Sequence, residues 1–95
     1  MSQTSRVLGV ATVIGYENGL NYVQYHATKV VQWNASKIIL NSNGWHTATT
    51  KLRMNQASRQ FDLDFVVSQR DFEWSVTTPN GDVVPFVDKI ELSRE

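Results

Sequence analysis

The sequence predicts a small, mainly β domain with one short helix inserted among its strands. Three features support this class: short runs rich in Tyr, Val and Thr, turn-forming residues between those runs, and one segment without Gly or Pro over residues 49–61. Short strands joined by tight turns favour one small, strongly bent sheet or a partly open barrel. A chain of 95 residues is one domain.

The first part of the chain predicts extended strands separated by turns. Asn18-Gly19 marks a turn, and residues 20–33 form the first extended run. Residues 34–36 read as a hairpin loop that leads into a strand over residues 37–40. Residues 41–44 are rich in Asn and Gly, so we expect that strand to end there.

Residues 49–61 predict the helix, with Thr49 or Thr50 as its N-cap. Its apolar face consists of Met54, Ala57 and Phe61. Its opposite, polar face consists of Lys51, Asn55, Gln56 and Arg59, with Arg53 at the edge. A helix of this length is marginal by itself, so we expect it to dock on a sheet, inserted after the second or third strand.

Two further strands are predicted by a period-two alternation of apolar and polar residues. In residues 62–67 the apolar positions are Leu63, Phe65 and Val67, and in residues 72–77 they are Phe72, Trp74 and Val76. Residues 68–71 join the two runs at hairpin length. We therefore expect Phe72 and Trp74 to lie in the core, and Trp33 with them.

The end of the chain predicts one more strand. The Asn-Gly pair at residues 80–81 is the strongest turn signal in the sequence, because both residue types accept positive φ. Residues 83–87 then form a strand that Pro85 places at an edge or a bend. Residues 90–92 are expected to continue this strand.

Composition excludes several classes of protein. The chain has no cysteine, which excludes disulfide scaffolds, zinc fingers and thiol catalysis. No apolar run approaches 18 residues, so we expect no membrane span, and the N-terminus lacks a firm signal-peptide cleavage site. The expected compartment is the cytoplasm.

The formal net charge is zero, but the charges are unevenly distributed. Residues 1–61 carry six basic residues and one acidic residue, a balance of +5, whereas residues 62–95 carry three basic and eight acidic residues, a balance of −5. Such a split suggests a polyanionic partner or head-to-tail self-association. The alternative, that a small fold mixes both halves and averages the field, stays open.

No motif for catalysis, metal binding or cofactor binding is visible. The only histidines, His26 and His46, lie 20 residues apart, and we expect His26 half exposed on a strand. The carboxylate pairs at positions 62/64 and 71/73 fit solvated strand faces better than a catalytic acid pair. We therefore expect a protein that is not an enzyme, with no catalytic residues, no metal and no cofactor.

The strongest candidate site is the stretch from Gly44 to Gln56. It combines an aromatic residue, a histidine and basic residues, and no acidic residue occurs between Lys37 and Asp62. Lysine and arginine attract phosphates, and exposed rings stack on unpaired bases. The candidate nucleic-acid-binding residues are Trp45, His46, Lys51, Arg53, Asn55 and Arg59. Whether Trp45 is instead a core residue stays open, because tryptophan is usually buried.

From Tyr25 onward the chain resembles a family of short proteins from marine cyanophages and ocean metagenomes. The resemblance depends on YHATKVV (25–31), ILNSNGWHTATTKLRMNQAS (39–58), QRDFEW (69–74) and VPF (84–86). It implies an Sm-like (SH3-like) fold, a bent five-stranded barrel that assembles into a ring, and suggests nucleic-acid binding. Family members often have glycine where this chain has Asp62 and Asp64. Those glycines imply a tight backbone approach in the family, and this chain departs from the family pattern at both positions.

These expectations combine into one hypothesis. Residues 1–19 are an N-terminal extension, flexible or pairing, and residues 20–95 are a single Sm-like β-barrel domain. We expect the protein to bind single-stranded RNA or DNA as a cyclic homo-oligomer of roughly five to seven subunits, in the host cytoplasm if it is phage-encoded. The alternative is a phage structural or adaptor protein whose ring binds another protein.

Overall fold

The computed structural model describes residues 12–94. These residues form eight strands and one helix. In chain order the elements are β1 (Thr12–Glu17), β2 (Leu20–Tyr25), β3 (Thr28–Trp33), β4 (Lys37–Leu40), α1 (Ala48–Gln60), β5 (Val66–Arg70), β6 (Glu73–Thr77), β7 (Val83–Pro85) and β8 (Ile90–Ser93). The mainly β class with one short helix is therefore confirmed.

The strands form two antiparallel sheets. The first has the order β1-β2-β3-β4-β8 and the second the order β5-β6-β7. Within residues 12–94 both sheets are open, and no strand pair closes them into a barrel. No helix in this part of the chain combines the length and the apolar character that a bilayer crossing requires.

The first sheet starts inside the segment that the sequence assigns to the N-terminal extension. Residues 1–11 of that extension lie outside the described residues. Its later part forms β1, which pairs with β2 along its whole length, from Thr12 opposite Tyr25 to Glu17 opposite Leu20. The predicted turn joins the two strands, with φ of 55° at Asn18 and 82° at Gly19.

The extended run predicted over residues 20–33 is two strands, not one. A tight turn at His26 and Ala27 separates β2 from β3, and His26 has a φ of 56°. The expectation that His26 lies on a strand is therefore wrong: it is exposed in a turn. Histidine is one of the residue types that adopt positive φ more readily, but a run rich in Tyr, Val and Thr hides such a turn.

Helix α1 begins slightly earlier than predicted. Its N-cap is Thr47, whose hydroxyl accepts a hydrogen bond from Thr50 N at 3.2 Å. The predicted apolar face is confirmed: it meets the sheets, with Met54 and Ala57 fully buried and Phe61 tilted against Trp33 at 4.7 Å between ring centroids. The helix contacts β2 and β3 of the first sheet and β5 of the second.

Strand β5 begins later than the alternating pattern predicts. Asp62 and Asp64 have φ values of 57° and 59°, so the chain turns twice before β5 starts at Val66. The alternation of burial nevertheless holds, because Leu63 and Phe65 are buried. The left-handed backbone at both aspartates is a conformation that glycine adopts with least strain.

The expectation that Phe72 belongs to the core is wrong. Strand β5 continues to Arg70, and the turn to β6 consists of Asp71 and Phe72, whose φ values of 52° and 68° are those of a type I′ hairpin. The Phe72 side chain is 94% exposed at the hairpin tip. Trp74 and Trp33 are buried as predicted.

The predicted continuation of the last strand is also wrong. After β7 the chain leaves the second sheet, and β8 pairs with β4 in the first sheet, with Ile38 opposite Leu92. The two sheets and the helix enclose one core, which includes Val31, Leu40, Phe65 and Val76. Because β8 comes from the acidic half and β4 from the basic half, the fold mixes the two halves of the charge distribution.

Candidate functional site

Asp88 fixes the loop that precedes Trp45. Its Oδ1 accepts hydrogen bonds from Ser42 N at 2.8 Å and Ser42 Oγ at 2.6 Å, and its Oδ2 accepts one from Gly44 N at 2.9 Å. Trp45 N then donates to Ser42 O at 3.0 Å. One carboxylate on the segment before β8 therefore holds the backbone that presents Trp45.

The hydrogen bonds to Asp88 determine its acidity. Desolvation raises the pKa of the carboxyl, but the donors from Ser42 and Gly44 and the nearby His46 outweigh it. The net result is a pKa below the ordinary value of 3.8. Asp88 is therefore ionised at neutral pH.

Trp45 is a surface residue, which settles the alternative that the sequence left open. Its side chain is 66% exposed and lines a groove of about 420 Å³ between the β2–β3 turn and the N-terminus of α1. We call this the Trp45 groove, and its principal lining residues are Tyr25, His26, Val30, Trp45, Thr47 and Thr50. An exposed indole beside an open groove can stack on a planar ligand.

A second groove of about 390 Å³ adjoins the first. We call it the lysine groove, and its own lining residues are Gln24, Lys29, Gln32, Asn41 and Lys89. The two grooves share Ala27, Thr28 and Asn43, so they form one continuous surface. Lys29 forms an ion pair with Glu17 and lies over the Tyr22 ring at 4.8 Å.

Sequence reasoning missed the lysine groove. Lys29 lies on β3 and Lys89 just before β8, and they approach only because β8 returns to pair with β4. No local pattern links two residues that are 60 positions apart. The His26-Ala27 turn lies within the motif YHATKVV (25–31), but the strand pattern of the surrounding residues does not single it out as part of a site.

His46 lies against the second sheet. Its ring stacks on Trp74 at 4.6 Å with an interplanar angle of 19°, and Phe86 meets it edge-on at 5.5 Å. Trp74 is buried, and its indole N–H has no hydrogen-bond partner among the residues that the structure describes. His46 is exposed, so its imidazole covers the core tryptophan while remaining accessible to solvent.

Arg53 is placed differently from the other basic candidates. It is only 9% exposed, its Nε donates to Thr12 Oγ1 at 3.0 Å, and its Nη1 donates to Gln56 Oε1 at 3.2 Å. Its guanidinium also lies 5.7 Å from the Tyr25 ring centroid. Arg53 therefore ties the helix to β1 and β2.

Asn55 is also engaged within the fold. Its amide is hydrogen-bonded to the backbone of Val67 on β5. Lys51 and Arg59 are four residues before and after it, so all three lie along one side of the helix. Arg59 is exposed and Lys51 partly exposed, and about 12 Å of helix axis separates them.

The structure thus brings together only part of the predicted set. Trp45 and His46 are adjacent before the helix, and Lys51 is in its first turn next to Thr50 of the Trp45 groove. Arg59 is at the other end of the helix. Among the described residues, no group of three histidine, aspartate or glutamate side chains is arranged to hold a metal ion.

Comparisons with known proteins identify the family. No curated protein and no solved structure matches the chain significantly. The family model described as Kyanoviridae Gp96 protein matches residues 4–93, nearly the whole sequence. This match supports the cyanophage origin that the resemblance implies, and the chain belongs to the Kyanoviridae Gp96 protein family.

Proposed function

We propose that this protein binds single-stranded nucleic acid, RNA or DNA, on the continuous surface of the Trp45 groove and the lysine groove. The observation that carries the proposal is the juxtaposition of a 66% exposed tryptophan with a groove that continues into a lysine-lined one. Aromatic stacking supplies sequence-tolerant affinity for unpaired bases, and lysines neutralise the backbone phosphates.

Each part of the surface has a proposed role. A base stacks on Trp45, while Lys29 and Lys89 contact the backbone that passes along the lysine groove. The positive end of the α1 dipole, at Thr47 and Thr50, faces the same groove and favours an anion there. Lys51 supplies a further cation one turn into the helix.

The proposal also includes an Sm-like relationship and a closed homo-oligomer. What supports the first is the antiparallel order β1-β2-β3-β4-β8, in which β1 to β4 are short strands joined by tight turns. What supports the second is the edge strand β1, which exposes Val13, Ile14 and Tyr16. A cyclic assembly of roughly five to seven subunits in the host cytoplasm is the form we propose.

Fluorescence anisotropy with labelled mixed-sequence oligonucleotides at two salt concentrations tests nucleic-acid binding. We expect binding that weakens with salt, and a loss of about 1–3 kcal/mol for Trp45→Ala with partial rescue by Trp45→Phe. Lys29→Gln and Lys89→Gln should each reduce the salt slope by about 1. Lys37→Gln, on β4 and outside both grooves, is the matched control.

Absence of binding at low salt by the protein in its monomeric form would refute this function. The second candidate function, a phage structural or adaptor protein, would then take its place. The observation that favours it is the exposed Phe72 at the β5–β6 hairpin tip, which is a more typical feature of a protein contact than of a phosphate-binding surface.

A further inference from the structure

The tip of the β5–β6 hairpin, residues 70–73, carries an aromatic residue at a position unsuited to it. Phe72 is 94% exposed and has a φ of 68°. Of the eight non-glycine residues with positive φ among the described residues, five are Asn or Asp and one is His, which are the types that tolerate it. A glycine after Asp71 would complete the favoured Asp-Gly turn. The phenylalanine is therefore unfavourable locally, and within residues 12–94 its 94% exposed side chain is not packed against the core.

The charges at the tip indicate the kind of surface that Phe72 contacts. Asp71 and Glu73 flank it and are exposed. Arg70 lies opposite Glu73 in the register of β5 and β6. Two carboxylates beside the ring oppose the approach of a phosphate backbone. They favour a protein surface that has an aromatic or apolar recess next to cationic side chains.

The Trp45 groove of this same chain has these properties. Its volume of about 420 Å³ exceeds the roughly 150 Å³ that suffices for a benzene ring, and Tyr25, Val30 and Trp45 line it. The adjoining lysine groove has Lys29 and Lys89 in its lining and no acidic residue. Lys29 is held by Glu17, whereas no ion pair among residues 12–94 involves Lys89.

We propose that the hairpin tip of one copy docks into the grooves of a second copy. Phe72 enters the Trp45 groove, and Asp71 and Glu73 face Lys29 and Lys89. The contact is heterologous, because tip and groove are different surfaces, so it can join successive copies into a ring. This inference deepens the homo-oligomer part of the proposed function and rests on it. A docked tip occupies the groove proposed for a base, so assembly and nucleic-acid binding compete.

Phe72→Gly is the primary test, measured by sedimentation velocity over a range of concentrations. It creates the Asp-Gly turn, so the variant should fold with undiminished thermal stability. We expect self-association to weaken by about thirtyfold or more, as for a central interface residue. Val83→Thr, which alters another exposed apolar residue of the same sheet, should associate like the wild type.

A complementation experiment tests the direction of the contact. Ala27→Glu places a carboxylate in the floor shared by both grooves, on an exposed turn where it should not disturb folding. We expect this variant and Phe72→Gly each to be monomeric alone. Mixed together, the intact tip of one and the intact groove of the other should form a 1:1 dimer that does not grow further.

Three results would overturn the proposal. The first is a wild-type protein that stays monomeric, as expected if the tip binds a foreign protein. The others are association that Phe72→Gly does not affect, and failure of the two variants to complement each other.

Oligonucleotide binding by Phe72→Gly, whose groove no tip can fill, separates this inference from nucleic-acid binding. If that variant binds but the wild type never assembles, only the docking fails. If the wild type assembles through Phe72 but the variant does not bind, only the nucleic-acid function fails.

Discussion

The side chain of Asn55 forms two hydrogen bonds with the backbone of Val67. Its Nδ2 donates to Val67 O at 2.9 Å, and Val67 N donates to its Oδ1 at 2.8 Å. Two residues earlier on the chain, Phe65 N donates to Ser58 Oγ at 3.0 Å, and that hydroxyl donates to Phe65 O at 2.6 Å. Helix side chains thus occupy backbone groups at the edge of the second sheet that a neighbouring strand would otherwise bind.

Replacing Asn55 with alanine should therefore lower the free energy of unfolding by about 1–3 kcal/mol, because it leaves two part-buried backbone groups without partners. Urea denaturation measures the loss. Arg59→Ala, on the same side of the helix but exposed, should change stability by less than about 0.5 kcal/mol. Equal effects of the two substitutions would contradict this role of Asn55.

Glycine substitutions at the two left-handed aspartates should stabilise the protein. Asp62→Gly and Asp64→Gly each relieve a positive-φ conformation, with an expected gain of up to about 1 kcal/mol in the free energy of unfolding. Asp82→Gly is the control, because Asp82 is not among the positive-φ residues and glycine there only adds unfolded-state entropy. A gain at Asp82 equal to that at Asp62 would rule out the conformational explanation.

Arg53 and Lys51 should respond differently to substitution. Arg53→Lys removes the fork that reaches both Thr12 and Gln56, and should cost about 1–3 kcal/mol of stability. The folded fraction should still bind an oligonucleotide with unchanged affinity. Lys51→Glu should leave the melting temperature nearly unchanged and weaken that binding. Melting curves and anisotropy on the same samples check both, and a reversed pattern would refute the assignment.

The loop before Trp45 should lose stability in acid. Because the pKa of Asp88 is lower in the folded protein than its ordinary value of 3.8, its stabilising contribution is complete above that value and disappears as the pH falls through the lowered pKa. Asp88→Asn places an amide donor against Gly44 N. The stability difference between wild type and variant should be constant above about pH 5 and shrink below pH 4. A difference that persists unchanged to pH 2 would exclude this linkage.

Local patterns were sufficient for much of the fold. The helix, its Met54 and Ala57 face, and the turn at Asn18-Gly19 follow from spacing and residue type, because these features depend on neighbours in the sequence. Phe72 was wrongly predicted to be buried because a two-residue turn does not interrupt the alternation of apolar and polar residues. Position 72 therefore has the same phase as the buried positions 74 and 76, although it lies in the turn. The pairing of β8 with β4 was missed because periodicity carries no information about which distant strand is the neighbour.

The candidate site was less predictable than the fold. Residue type predicted that Arg53 and Asn55 would be available on the helix surface, but both are bound to groups more than ten residues away. Trp45 was ambiguous because an indole suits both a core and a surface. Lys89 could not be identified, because its proximity to Lys29 depends on the return of the chain to the first sheet.

The position of α1 has a consequence for the dynamics of the molecule. Arg53 bonds the helix to Thr12 in one sheet, while Asn55 and Ser58 bond it to the segment entering the other. Fraying of the middle of this helix would therefore release contacts to both sheets together, so local opening confined to α1 is disfavoured. Amide hydrogens in the middle turns of α1 should accordingly exchange with deuterium only when the whole domain unfolds.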